Sequence, residues 1–460
     1  MFGPASRRRV ATAALYAGVY LLTLADALHP HPWLSGIAAA GLLAFVALEL
    51  PEVRPAQRAA AAVLMLAGLA ASWSVGGWSA AAADLVDGTR RALPFLVLFA
   101  AVMGLQIPAL HSPSFRRLGE GVVAQPPGRR FVMLALAGHF LGAVLNLAGL
   151  QLVASLFDPD MRPRLRQRLT IAVVRGFSTA VLWSPFFVGM GVILTVLPGV
   201  SWLSVAPIGF ALGLALVALA WGLDRLTRPR PAEPADRPPH DTAGLPRAAG
   251  GVATVFLALA VPVIGLAEGA GLSIVIALGL VAPPLALLWR RRLAAHAHGA
   301  PAPPPLLATV VGRLPSLRNE AALFLSATVF AVGLSHAVDG AVLQGWLAAP
   351  GLPTALRTAA LTTLGTLLGG LGVHPVVLAI LVGEILTPDV LGLTPVTVAL
   401  ILSTAWGLGT QMSPFSATVM QVGRLLDVSV FRVAWLWNAP FCLPGAALAG
   451  LAIGALTALT

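Results

Sequence analysis

Lysine is missing altogether: each of the 29 basic residues is arginine. Charge of either sign is scarce, at 10% of residues, while 58% are hydrophobic, and the mean hydropathy is +0.87. So little charge excludes a single water-soluble core for 460 residues. The formal charge of +11 is spread as arginine over short loops, which excludes an extended nucleic-acid-binding face and leaves nucleic acid out as a partner. A single cysteine, Cys442, excludes an internal disulfide and any cysteine-held metal cluster. What remains is a polytopic membrane protein whose main partner is the lipid bilayer.

A 20-residue window finds apolar segments near 10–29, 33–50, 58–78, 92–110, 131–157, 170–200, 203–222, 251–268, 271–289, 321–337, 357–387, 392–423 and 433–457. The first follows Arg7, Arg8 and Arg9 and ends near Ala25-Asp26-Ala27, the outline of a cleaved signal peptide. Its length, from Val10 to about Leu28, is nearer a full span, and it reads as the first membrane helix. Between Asp224 and Gly250 the chain is rich in proline and charge and reads as a flexible linker.

The linker sits at mid-chain, and one triplet occurs on both sides of it. Ser-Pro-Phe stands in LWSPFFVG and again in QMSPFSAT, with Ser184 and Ser413 separated by 229 positions. The same shift carries FAAVMGL at 99–105 onto TVFAVGL at 328–334, and segment 131–157 onto 360–386. The chain therefore reads as one unit written twice: an N-terminal helix (1–32), a first repeat (33–222), a cytoplasmic linker (223–250) and a second repeat (251–460).

Arginine collects in short cytoplasmic loops. Segment 131–157 has Arg116, Arg117, Arg129 and Arg130 before it and Arg162, Arg164, Arg166 and Arg168 after it, so it starts and ends on one side. It reads as a re-entrant hairpin with GHFLGAVLNLAG, including His139 and Asn146, at its turn. Segment 357–387, with TLLGGLGVHP at its centre and almost no arginine around it, reads as a hairpin from the outer side. Counting through gives an all-α membrane protein with eleven transmembrane helices and two re-entrant hairpins, the N-terminus cytoplasmic in an inner membrane of bacterial type. Arg90 and Arg91 fall on the wrong side in this count. Five crossings per half is an odd number, so the repeats are inverted, a plan common among secondary transporters.

Proline removes a backbone donor and clashes one turn back, so the helices spanning 170–200 and 392–423 are expected to break at Pro185 and Pro414. Broken ends expose amides and carbonyls that lipid cannot satisfy, and these must face protein or a watery cavity. Ser178, Thr179 and Ser184 line the first break; Thr410, Gln411, Ser413, Ser416 and Thr418 line the second. Two hairpin tips and two breaks would enclose one binding site.

This order of elements resembles the ion transporter superfamily, which includes the divalent anion/sodium symporters and the C4-dicarboxylate carriers, and QMSPFSATVM is similar to a Ser-Pro stretch near the C-terminus of anaerobic C4-dicarboxylate carriers. The resemblance implies a homodimer whose transport domain slides like an elevator against a scaffold. Neither hairpin tip carries the Ser-Asn-Thr with which divalent anion symporters hold sodium; Asn146 in VLNLAG is the partial match.

Ionisable groups inside spans are functional candidates. Arg175 either meets a carboxylate or snorkels to the cytoplasmic surface. Glu384 either carries a coupling proton or lies at the outer interface. His139 and His374 are either a proton relay or satisfied polar groups. Asp26, Glu268 and His336 fall near span ends, and Arg424 with Asp427 reads as a local ion pair. The leading function is secondary transport of a small organic anion, carboxylate or dicarboxylate, with a proton or sodium ion as coupling ion and no cofactor. A cation/proton antiporter or oxyanion exporter of the same plan is the second reading. A polytopic enzyme acting on a lipid-linked substrate, which would need clustered acids and histidines in large outer loops, is the third.

Overall fold

The computed structural model describes residues 4–154, 157, 161–227, 244–296, 303–338, 342, 344–345 and 351–458. Most of the linker, 228–243, lies outside them. Helix is the only regular structure among the described residues. In chain order the helices are α1 (Pro4–Leu28), α2 (Pro32–Glu49), α3 (Pro55–Leu110), α4 (Pro113–Val123), α5 (Pro127–Leu145), α6 (Leu147–Ala154), α7 (Pro163–Thr179), α8 (Val188–Val196), α9 (Trp202–Thr227) and α10 (Leu245–Ala270). They continue as α11 (Ile274–Ala295), α12 (Leu306–Arg313), α13 (Arg318–Ala337), α14 (Thr354–Gly370), α15 (Pro375–Glu384), α16 (Pro388–Leu391), α17 (Pro395–Met412), α18 (Ala417–Leu426) and α19 (Ala439–Thr457).

Among the described residues eight helical stretches are long and apolar enough to cross a membrane. The eleven expected crossings exceed this number for two reasons. Helix α3 counts once but contains two spans, and the pairs α7/α8 and α17/α18 are interrupted by their breaks, which leaves α7, α8 and α18 too short and the 18-residue α17 not apolar enough. Every one of the thirteen apolar segments has its helical counterpart, and the chain is an all-α, multi-pass membrane protein.

The chain divides into two compact units. The first comprises Met1–Pro108, Val261–Ala349 and Ala379–Leu393. Its α3 turns back at Gly76 and Gly77, where Gly77 takes φ +65°, a conformation that glycine adopts without a steric penalty. The two arms flank α13. A Cβ on Gly68 would stand 2.6 Å from Phe330 Cα, and one on Gly88 2.6 Å from Val329 Cα, so both arms approach α13 through glycine at the same level. Tyr16 anchors α1 in the core by donating to the Leu96 carbonyl at 3.0 Å and packing edge-on against Phe45. The misplaced Arg91 is accounted for here: it pairs with Asp87 at 2.9 Å and with Glu384 at 2.5 Å.

The second unit comprises Ala109–Ala260, Pro350–Leu378 and Thr394–Thr460. Small residues set its closest packing. A Cβ on Gly176 of α7 would lie 1.7 Å from the Ala135 carbonyl oxygen of α5, and one on Gly138 2.3 Å from the Val173 oxygen. Helices α14 and α19 meet in the same way, with Gly450 and Gly454 against residues 355–359 and the Thr358 hydroxyl donating to the Gly450 carbonyl at 2.7 Å. Such small-residue interfaces let membrane helices gain dispersion contact where no hydrophobic driving force separates helix from lipid. Arg168 and Asp224 form an ion pair joining α7 to α9.

Candidate functional site

The segment expected to form the first hairpin folds as α5, a turn and α6, with boundaries a few residues earlier than the apolar run. Its turn is Asn146, at φ +52°, and α6 folds back so closely that a Cβ on Gly149 would stand 2.7 Å from the Leu141 oxygen. With ψ at −136° this lies outside the left-handed helical region and is costly for any residue with a Cβ, and the side chain's bonds to Phe186 and Val188 hold it there. At the second tip α14 ends at Gly370, the chain turns over Gly372 at φ +105°, and α15 begins at Pro375.

Both breaks are also present. Helix α7 stops at Thr179, passes through a 3-10 turn (Ala180–Leu182), and resumes as α8 only at Val188. The interruption starts ahead of Pro185 because that ring lacks the N–H that would bond the Val181 carbonyl and crowds the preceding turn. Helix α17 stops at Met412 and α18 starts at Ala417, where the Ser416 hydroxyl accepts from the Val419 N–H at 3.1 Å. The spacing of 229 that separates Ser184 from Ser413 also separates Val188 from Ala417, the first residues of the two resumed helices.

The first hairpin closes the first break. Asn146 Nδ2 donates to the Phe186 carbonyl at 2.8 Å, and Asn146 Oδ1 accepts from the Val188 N–H at 3.1 Å. Ser184 Oγ donates to the Ala143 carbonyl at 2.6 Å. These side chains supply what the interrupted helix lost. His139 is built into the same region. Trp183 Nε1 donates to His139 Nε2 at 2.8 Å, and an indole only donates, so Nε2 carries no proton and Nδ1 does. Nδ1 therefore donates to Thr179 Oγ1 at 2.8 Å, and Thr179 donates on to the Gly176 carbonyl at 2.7 Å. Ser178 Oγ is turned back to the Val174 carbonyl at 3.0 Å.

The second tip lies at the second break. A Cβ on Gly370 would meet Met412, and one on Gly372 would meet the Phe415 ring, both within 2.8 Å. Trp435 donates to the Gly370 carbonyl at 3.3 Å. His374 is exposed, and its Nδ1 accepts from the Val376 N–H at 3.3 Å, in the manner of a helix cap. The two broken helices cross at Ser178 and Gly407, where a Cβ on the glycine would stand 2.3 Å from the Ser178 oxygen, and Gly189 of α8 faces Trp406.

Around the second break lie buried polar atoms with no protein partner. Gln411 is 0% exposed, and neither its Oε1 nor its Nε2 is hydrogen-bonded. Thr410 bonds back to the Gly407 carbonyl at 3.0 Å; Ser413, Pro414 and Thr418 are buried beside it. Pro185 is likewise buried in the first break. Next to α17 a π-helical stretch (Arg432–Asn438) leads into α19, and it leaves Asn438 Oδ1 buried without a partner. Pro440 explains the wide turn, since it has no N–H to offer the Leu436 carbonyl. Arg175 reaches this stretch, donating to the Trp437 carbonyl at 3.0 Å and lying 4.6 Å from the centre of the Phe441 ring. Sequence reasoning passed over Asn438 and Trp406. The lone asparagine followed closely by proline in an apolar span was the available signal for the first, and nothing marks the second.

Three placements differ from simple readings. Glu384 belongs to the first unit and is held in the ion pair with Arg91. Arg424 donates to the Met420 carbonyl, and Asp427 is the left-handed C-cap of α18, so these two do not form the expected local pair. Arg175 is 8% exposed, and its contacts include the Trp437 carbonyl and the Phe441 ring.

No protein-family model and no curated protein sequence matches the chain. The fold nevertheless has a counterpart among solved structures. It is similar to the crystal structure of the YdaH transporter of Alcanivorax borkumensis, described as having an unusual topology, with a TM-score of 0.56 over 80% of this chain and 87% of that one, at 15% identity.

Proposed function

We propose that the chain is a secondary active transporter of a small organic anion, a carboxylate or dicarboxylate, with its binding site at the second break. The observation that carries this reading is Gln411, wholly buried with both ends of its amide unpartnered. A buried amide without hydrogen bonds costs about 1–3 kcal/mol per unsatisfied group, and such a cost is retained where a ligand repays it. The amide offers a donor to a carboxylate and an acceptor to a hydroxyl or acid. Asn438 Oδ1 adds an acceptor, Ser413 and Thr418 hydroxyls, and Arg175 a positive charge in the same unit.

The role of the first break is different in this proposal. Asn146, Ser184, Thr179 and His139 are spent on holding its geometry, so the first half supplies a rigid wall and the second half the adaptable contacts. A proton or sodium ion drives the cycle. The two halves are inverted repeats, the protein is a homodimer in an inner membrane of bacterial type with its N-terminus in the cytoplasm, and the unit that holds both breaks moves as the elevator. The division of the chain into two compact units, one of which contains both breaks, supports that mechanism. The antiporter reading has less support, because Glu384 already has an arginine partner.

A thermal-stability screen of the purified protein against mono-, di- and tricarboxylates, amino acids, sulfate and arsenite, with and without sodium, tests the proposal. A carboxylate is expected to raise the midpoint. Stabilisation by an inorganic oxyanion or a cation alone would replace it with the alternative.

A further inference from the structure

The second unit carries an apolar groove that the transport reading does not use. It has a volume of about 780 Å³ and runs between α4, α5, α9 and α10, with Trp183 of the first break in its wall. Its lining is leucine, valine, methionine, alanine, proline, phenylalanine and tryptophan alone. The two tryptophans offer it no donor: Trp183 Nε1 is bonded to His139, and Trp202 Nε1 to the Trp183 carbonyl at 2.6 Å. A ligand inside this groove gains nothing from polar groups, so it must be hydrocarbon. Phe140, Leu203 and Leu257, on three of the lining helices, are 40%, 52% and 55% exposed.

Length and charge select among hydrocarbons. From Met133 to Val144 the α5 wall rises ~16 Å at 1.5 Å per residue, close to half of a hydrocarbon core of ~30 Å. One turn before Met133, on the same face of α5, stands Arg129, exposed to solvent. Arg117, also exposed, stands next to the lining residue Leu118 on α4. The groove is therefore apolar over one leaflet's depth and cationic at one end.

We propose that this groove binds an anionic phospholipid of the surrounding bilayer, with one acyl chain between α5, α9 and α10 and the phosphate at Arg129 and Arg117. A neutral lipid would fill the same hydrocarbon slot without the arginine contacts. A second copy of the chain would be held by apolar contact alone and would leave those arginines without an anion.

The test is native mass spectrometry of the full chain purified from detergent containing dioleoyl phosphatidylglycerol and dioleoyl phosphatidylcholine in equal amounts. Retention of one phosphatidylglycerol per chain in preference to phosphatidylcholine is expected. Arg129→Gln should lower that preference about fivefold, the effect of one surface arginine on an anionic lipid. Ala253→Trp, which fills the groove, should abolish retention of both lipids; Ala249→Trp, at the exposed rim, should weaken it if the first variant does not fold. Undiminished phosphatidylglycerol in a folded groove-filling variant, or an unchanged preference in Arg129→Gln, would overturn the proposal. So would efficient cross-linking of Leu203→Cys between two copies, which would show the face to be covered by protein.

Discussion

Asn146 stands where an interrupted helix needs it: its side chain spans the gap to Val188, accepting from the first amide of α8 while donating to the carbonyl of Phe186. One residue at a hairpin tip thus completes the backbone bonding of a helix some forty positions later in the chain. In a membrane no water stands ready to replace it. Asn146→Ala should leave a buried donor and a buried acceptor unpaired and destabilise the protein by about 2–4 kcal/mol, read as a lower thermal midpoint in detergent. Asn146→Asp keeps the acceptor and loses the donor, and its loss should be smaller only if the aspartate is protonated.

The chain from Trp183 through His139 to Thr179 makes a second prediction. Each group has its partner and the imidazole is neutral. Trp183→Phe and His139→Gln should each lower stability, and in a double-mutant cycle the two losses should be strongly non-additive, since they share one bond. The pH dependence of transport should be the same in His139→Gln as in the native protein. A displaced pH profile would make this histidine a proton carrier after all.

Close approach of α5 and α7 gives a third. A methyl group at Gly176 would meet the Ala135 carbonyl oxygen at 1.7 Å, a backbone atom that no rotamer change can move. Gly176→Ala should cost about 3 kcal/mol or more, and little folded protein should be recovered by size-exclusion chromatography. Gly222→Ala, with open space around it, serves as the control and should be neutral.

The ion pair between Arg168 and Asp224 gives a fourth. Asp224 is 4% exposed, so removing its charge leaves a largely buried guanidinium uncompensated. Asp224→Asn should destabilise by about 3 kcal/mol, and Arg168→Met with Asp224→Leu should recover much of that loss.

Much of this architecture was written in the chain. The doubled Ser-Pro-Phe located both breaks, because proline's missing N–H acts locally and any tertiary setting must accommodate it. Arginine on both flanks of 131–157 pointed to a segment that doubles back, and α5 and α6 do double back at Asn146. The partnering of individual side chains was not legible. Asn146 and Gln411 are both lone amides in apolar runs, yet the first is fully bonded and the second has no partner, a difference set by which helices come together in space. Arg91 illustrates the same limit. Its place in the sequence contradicted the positive-inside count; Asp87 is a neighbour one helical turn away, but only the fold brings Glu384 to it.

The central claim is that Gln411 lacks partners because a ligand supplies them, and one comparison tests it most directly. The thermal midpoints of the native protein and of Gln411→Leu are measured with and without the carboxylate found to stabilise the native protein. Leucine removes two unsatisfied polar atoms at nearly constant volume, so the variant without ligand should be as stable as the native protein or more so, by about 1–3 kcal/mol, and the carboxylate should no longer raise its midpoint. A variant that is destabilised without ligand, or one that the carboxylate stabilises as well as before, would contradict the account.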